Sequence, residues 1–272
     1  MADPGYPCNR HFVRLFEGRA RLVPVDASTS YQLTAALIRR HWTPATRAVL
    51  ISSPSNPTGT LVPDADMAEI VRTVRELGGA LIVDEIYHGL TYGVPARSVL
   101  HHSADVFVVN SFSKYYGMTG WRVGWLVAPA GFVEAIDRLA QNIFLAASTP
   151  AQHAALAAFR PEVLAELGRR RDEFCARRDY LLPALRALGF GISVTPEGAF
   201  YLYADSSRLA ADSDDFAQRL LEEAGVAVTP GRDFGLHAPK RHVRFSYANT
   251  QAQLEEGVRR IAAFLGRSTP GI

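Results

Sequence analysis

Lys114 sits in a stretch that reads Ser111-Phe112-Ser113-Lys114-Tyr115-Tyr116-Gly117-Met118-Thr119-Gly120-Trp121-Arg122, among hydroxyls, aromatics and glycines. An amine in such surroundings is hard to read as a solvated surface charge. A partly desolvated lysine loses its proton easily and attacks a carbonyl carbon, forming a Schiff base. Other groups could serve that chemistry. Asp84 closes an apolar run, where a lone carboxylate is costly without a positive partner. Tyr87 lies three residues further on and offers a phenol, and Asn56 offers an amide. Ser111, Ser113 and Arg122 bring hydroxyls and a guanidinium fork, which suit phosphate oxygens.

The elements that must carry these residues follow from the hydropathy pattern. Ala48–Ile51, Ala80–Val83 and Val106–Val109 are continuous apolar runs of the kind buried in parallel sheets. Each ends in one of the polar groups just named: the loop Ser53–Thr60 with Asn56, the run Asp84–Tyr87, and the lysine stretch. Val123–Val127 reads as a further strand. Pro63–Leu77 has a helix pattern, with Met67, Ile70, Val71 and Val74 on one face and Gly78-Gly79 as its stop. Helices are also expected over Asn9–Phe16, Tyr31–His41 and Phe132–Leu145, and over Pro150–Leu188 with a break near Arg160-Pro161. Strands are expected at Arg21–Val25, Phe190–Val194, Phe200–Ala204, Val226–Thr229 and His242–Ser246, with helices over Asp214–Ala224 and Gln251–Phe264.

Alternating strands and helices predict an α/β domain with a mostly parallel sheet flanked by helices over residues 1–162. The irregular remainder, 163–272, predicts a smaller C-terminal α+β domain. Ligands of such sheets gather at the carboxyl ends of the strands, where three polar motifs fall here.

The totals narrow the class of function. The 272 residues are 48% hydrophobic and 21% charged, with a formal net charge of +2. That balance gives no strong field toward nucleic acid or membrane. Arg169-Arg170-Arg171, followed by Asp172-Glu173, reads as a solvated helix face, and His101-His102 as a solvated turn. The eight histidines show no metal-ligand spacing, so no metal is expected. Cys8 and Cys175 form no CxxC pair, and no run reaches membrane-spanning length or signal-peptide form. A cytoplasmic protein is the expectation.

A carbonyl-reactive lysine, an acid for a ring nitrogen, phenol and amide donors and a phosphate site together fit pyridoxal 5'-phosphate. Ser55-Asn56-Pro57-Thr58-Gly59, Asp84-Glu85-Ile86-Tyr87 and Ser111-Phe112-Ser113-Lys114 with Gly120-Trp121-Arg122 also resemble the signature set of the class I/II aminotransferases, which are fold-type-I pyridoxal phosphate enzymes. Pro230-Gly231, Phe234-Gly235 and Arg244-Phe245-Ser246 continue the resemblance. Each motif alone is more often a turn, a cap or a surface ion pair; their occurrence together and in order overturns those readings.

The resemblance implies a role for each residue. Lys114 would bear the cofactor and carry protons at the substrate α-carbon. Asp84 would hold the ring nitrogen protonated, and Tyr87 and Asn56 would bond the ring's phenolic oxygen. Ser111, Ser113 and Arg122 would take the phosphate, Tyr6 would stack on the ring, and Arg244 would clamp the substrate α-carboxylate. A homodimer acting on amino acids and 2-oxo acids is implied. The resemblance further implies that a preceding segment with another phosphate-cradling turn is lacking, so that Met1 is an internal methionine or the start of a truncated gene. A carbon–sulfur β-lyase on the same residues is the nearest rival, followed by a non-catalytic fragment or ligand-sensing domain.

Overall fold

The computed structural model describes residues 1–268. In chain order the elements are β1 (Ala2–Asp3), α1 (Pro7–Leu15), β2 (Val23–Pro24), α2 (Ala35–His41), β3 (Ala48–Ser52), α3 (Asp64–Glu76), β4 (Ala80–Asp84), β5 (Phe107–Ser111), β6 (Gly124–Val127), α4 (Ala130–Ile143), α5 (Thr149–Ala157), α6 (Pro161–Ala187), β7 (Tyr201–Asp205), α7 (Ser213–Ala224), β8 (Thr229–Pro230), β9 (His242–Ser246) and α8 (Gln251–Phe264). The sequence pattern places α3, β4, β9 and α8 to within a residue or so.

The helix ends show why. The α8 start has a capping box: the Thr250 hydroxyl accepts the Gln253 N–H, and the Gln253 side chain reaches back to the N-cap N–H. The expected break near Arg160-Pro161 appears as the gap between α5 and α6, with Pro161 opening the new helix. Three expected strands are reduced, Arg21–Val25 to the two-residue β2. Phe190–Val194 contributes only a bridge from Gly191 to Asp205, and Val226–Thr229 gives way to the short β8.

These elements divide into two units that interleave along the chain. Among the described residues, the first holds 1–32, 55–60 and those from 172 on; the second holds 33–54 and 61–171. The linear boundary expected at 162 falls just inside α6, and the N-terminal 32 residues group with the C-terminal ones. Hydrogen bonds within the first unit give the reason. The Gly5 N–H donates to the Phe234 carbonyl (2.9 Å), and the Asp3 carboxylate accepts the Leu236 and His237 N–H groups (3.0 and 3.2 Å). Any side chain at Gly235 would collide with that carboxylate.

The second unit is built on the sheet β3-β4-β5-β6. β3, β4 and β5 run parallel, and β6 is antiparallel to β5. Val49, Ile51, Leu81, Val83 and Val108 form its buried face, and α3 packs on β4 with Met67, Ile70, Val71 and Val74 buried. In the first unit β7 and β8 flank β9, all antiparallel, and β1 pairs in parallel with β2.

Candidate active site

In the second unit, strand register brings the chemistry to one sheet end. Ser52, Asp84 and Val109 stand opposite one another on β3, β4 and β5, and Ser111 lies two residues past Val109 on the same face. Asp84 accepts hydrogen bonds from the Ile86 N–H (3.0 Å) and the Ser52 hydroxyl. Burial outweighs both and pushes its carboxyl up to about 6; the charge of Lys114 pulls back only weakly. Ser52 escaped the sequence reading; its place at the end of a strand paired with Asp84's is the signal that would have found it.

The lysine loop is held from beneath. Phe112 is buried in a small core with Val123, Ala151, Ala155 and Ala158. Its ring lies 4.7 Å from that of Tyr116, 5.1 Å from Trp125 and 5.7 Å from Phe159, centroid to centroid. Its N–H donates to the Val123 carbonyl and its carbonyl accepts the Met118 N–H. The chain between turns tightly, with the Gly117 N–H on the Lys114 carbonyl at 3.0 Å. Lys114 Nζ stands 6.0 Å from the Tyr87 ring centroid, and Tyr87 is itself buried.

Ser111, Ser113 and Arg122 close the loop. The Ser111 hydroxyl donates to Ser113 Oγ (2.9 Å) and accepts the Ser113 N–H (3.1 Å). Gly124 sits opposite Ser111 across the β5–β6 ladder, and a Cβ there would meet the Asn110 carbonyl oxygen at 2.6 Å. Arg122 adopts a left-handed backbone (φ 53°), and its guanidinium donates to the Thr119 carbonyl at 3.0 Å. The Thr119 hydroxyl in turn donates to the Ser113 carbonyl at 2.6 Å, a contact that the sequence did not reveal.

Tyr6, Asn56 and Arg244 belong to the first unit. Arg244 on β9 is held by four groups. It donates to Asn56 Oδ1 (2.9 Å) and Thr229 Oγ1 (3.2 Å), and its guanidinium carbon lies 4.3 Å from the Tyr201 ring centroid and 4.8 Å from that of Phe234. Two acceptors and two ring faces fix the direction of the cation. Thr229 is Arg244's register partner on β8, a relation that only strand pairing reveals. Asn56, expected as a donor, here accepts through its carbonyl oxygen and is buried. Tyr6 precedes α1 and is 40% exposed.

Features expected to be solvated divide. Arg169 and Arg170 are exposed and pair with Glu166 on α6. His102, however, is mostly covered, with Nε2 3.0 Å from Asp64 Oδ1 at the start of α3. Among the described residues no group of His, Cys, Asp and Glu could hold a metal ion, and no helix is long and apolar enough to cross a membrane.

Known proteins match this chain over nearly its whole length. The model of the family "Aminotransferase class I and II" matches residues 1–261. The valine–pyruvate aminotransferase of Mycobacterium tuberculosis is 40% identical over 267 residues, covering 97% of this chain and 69% of that one. The (5-formylfuran-3-yl)methyl phosphate transaminase of Methanocaldococcus jannaschii is 35% identical over 270 residues, 98% of this chain and 68% of that one. A crystal structure of an aminotransferase from Mycobacterium tuberculosis superposes with a TM-score of 0.94 at 40% identity, covering 98% of this chain and 69% of that one. At that identity and coverage, fold and sequence agree, and the chain belongs to the class I and II aminotransferases, enzymes of amino-group transfer whose family is generally pyridoxal phosphate-dependent.

Proposed function

We propose that this chain moves an amino group between an amino acid and a 2-oxo acid, with pyridoxal 5'-phosphate held through Lys114. Asp84 carries the reading. Its hydrogen bonds from Ile86 and Ser52 do not offset its burial, and its carboxyl is pushed up to about 6. A cationic ring N–H is the partner that would hold it ionised, so the residues present fit the cofactor. When bound, pyridoxal phosphate supplies a carbonyl for an amine and an electron-withdrawing ring beside the substrate α-carbon.

The chain's own residues do the rest. Lys114 Nζ would hold the cofactor and, once the substrate amine has displaced it, would accept and return the proton at the substrate α-carbon. Asp84 would keep a proton on the ring nitrogen by its negative charge. Tyr87 donates its phenol to the ring oxygen. Ser111, Ser113 and Arg122 would take the phosphate, and the two hydroxyls are already hydrogen-bonded to each other. Among residues of the first unit, Arg244 binds the substrate α-carboxylate as a fixed fork, and Asn56 and Tyr6 contact the cofactor ring. We further propose a homodimer and a cytoplasmic location, the latter supported by two free cysteines.

Borohydride reduction of the protein mixed with pyridoxal phosphate, followed by peptide mapping, tests this reading. The expected label is on Lys114, and Lys114→Ala is expected to lower turnover of amino acid to 2-oxo acid by at least about 100-fold. A label on another residue, or sulfide release without amino transfer, would overturn it.

A further inference from the structure

Asp84 and Tyr87 have roles in the reading above; Glu85 and His88, interleaved with them, do not. All four leave the end of β4 together. Glu85 is buried, at 4% exposure, yet it is a carboxylate in a strand-end turn. Its Oε1 accepts the Val99 N–H at 2.7 Å, and its Oε2 lies 3.5 Å from His88 Nδ1. The Glu85 N–H donates to the Val109 carbonyl (2.9 Å), and the His88 N–H donates to the Glu85 carbonyl (2.9 Å). The His88 ring also donates to the Ser53 carbonyl.

Ser53 in turn ties two strand ends together. Its N–H donates to the Asp84 carbonyl (3.1 Å), and its Oγ accepts the Val62 N–H (3.0 Å). Ser53, Glu85 and His88 line a small cleft with Val83, Asp64 and Arg97. Val83 and Asp84 alternate along the strand, so this cleft lies behind Asp84. The other charged and titratable groups here are Asp64, Arg97 and His102, and Asp64 already engages Arg97 (3.8 Å) and His102 (3.0 Å). The imidazole thus stands between the Ser53 carbonyl, to which it donates, and the Glu85 carboxylate, 3.5 Å from Nδ1.

We infer that Glu85 and His88 are a positioning pair, which clamps the strand-end turn from behind and sets the direction of the Asp84 carboxylate and the Tyr87 phenol. The inference rests on the proposed function for what those two groups do, but the clamp itself belongs to the protein alone. Removing the ring takes the donor from the Ser53 carbonyl and the neighbouring group from the buried Glu85 carboxylate, which keeps only the Val99 N–H, and the turn relaxes toward the cleft. A donor of similar reach, such as glutamine, retains the bridge.

Two measurements test it. The first is a double-mutant cycle on the cofactor-free protein, with His88→Ala, Asp84→Asn and both together, read by chemical unfolding at pH 7. The clamp predicts non-additivity of about five-fold or more in the unfolding equilibrium, as contacting networks show. The second is pyridoxal phosphate affinity, with the pH midpoint of the bound chromophore. His88→Ala is expected to weaken binding by about ten-fold and to shift the midpoint, and His88→Gln to recover most of both. An additive cycle overturns the inference. So does a His88→Ala protein with wild-type affinity and midpoint. Wild-type protein that binds no pyridoxal phosphate, with a non-additive cycle, overturns the proposed function and sustains the clamp.

Discussion

Asp84 sets the sharpest expectation at the scale of single residues. Its carboxyl is raised from the usual carboxylate range to about 6, chiefly by burial. A raised folded-state value favours the protonated form. The stability it contributes is full below about pH 4 and is lost as pH rises through about 6. Across that window the cofactor-free protein is expected to lose about 3 kcal/mol at most. Asp84→Asn removes this slope. Urea unfolding at pH 4, 5, 6, 7 and 8 checks it; parallel curves for wild type and variant would refute the assignment. Bound cofactor is expected to flatten the wild-type slope, because a cationic ring nitrogen stabilises the ionised carboxylate. The need for a partner at Asp84 was legible in the sequence, since a carboxylate ends an apolar run. That Ser52 and Ile86 supply its hydrogen bonds was not, because those contacts depend on register and on the turn after the strand.

At the scale of elements, the lysine loop depends on packing beneath it. Phe112 has its ring buried against Tyr116, Trp125 and Phe159, and its backbone holds both Val123 and Met118. Phe112→Ala is expected to destabilise the protein by about 3 to 5 kcal/mol, as large-to-small changes of a buried phenylalanine do. It should also lower labelling of Lys114 in the fraction that stays folded. The denaturant midpoint, with an unchanged slope, checks the first expectation, and peptide mapping checks the second. The order of elements was legible because helix and strand periods are local. The direction of β6 was not: an apolar run of four residues reads alike whether it pairs parallel or antiparallel.

At the scale of the molecule, one sheet face stands out. In the second unit, Val109 and Leu126 face each other across β5 and β6, and both are exposed, at 41% and 44%. β5 also pairs in parallel with β4, and parallel strands are ordinarily covered on both faces. Nearby in sequence, α4 exposes Phe132, Val133, Leu139 and Ile143. Apolar surface of this kind drives association. The protein is expected to self-associate with rising concentration, and Leu139→Glu with Ile143→Glu to weaken that association. Light scattering over a concentration series checks this, and a monodisperse wild-type monomer would refute it.

Sequence alone determined the chemistry on offer and the elements that carry it. Lysine, acid, phenol and hydroxyls at successive strand ends follow from local hydropathy and residue type, and the aminotransferase family follows from their order. Tertiary structure decided which distant groups meet. It brought Asn56 and Thr229 to Arg244, seated Asp3 on the Leu236 and His237 amides, and joined residues 1–32 to the C-terminal part of the chain. Those pairings are hydrogen bonds across long sequence separations. Local periodicity carries no record of them, because strand register and backbone approach are settled only when the whole chain packs.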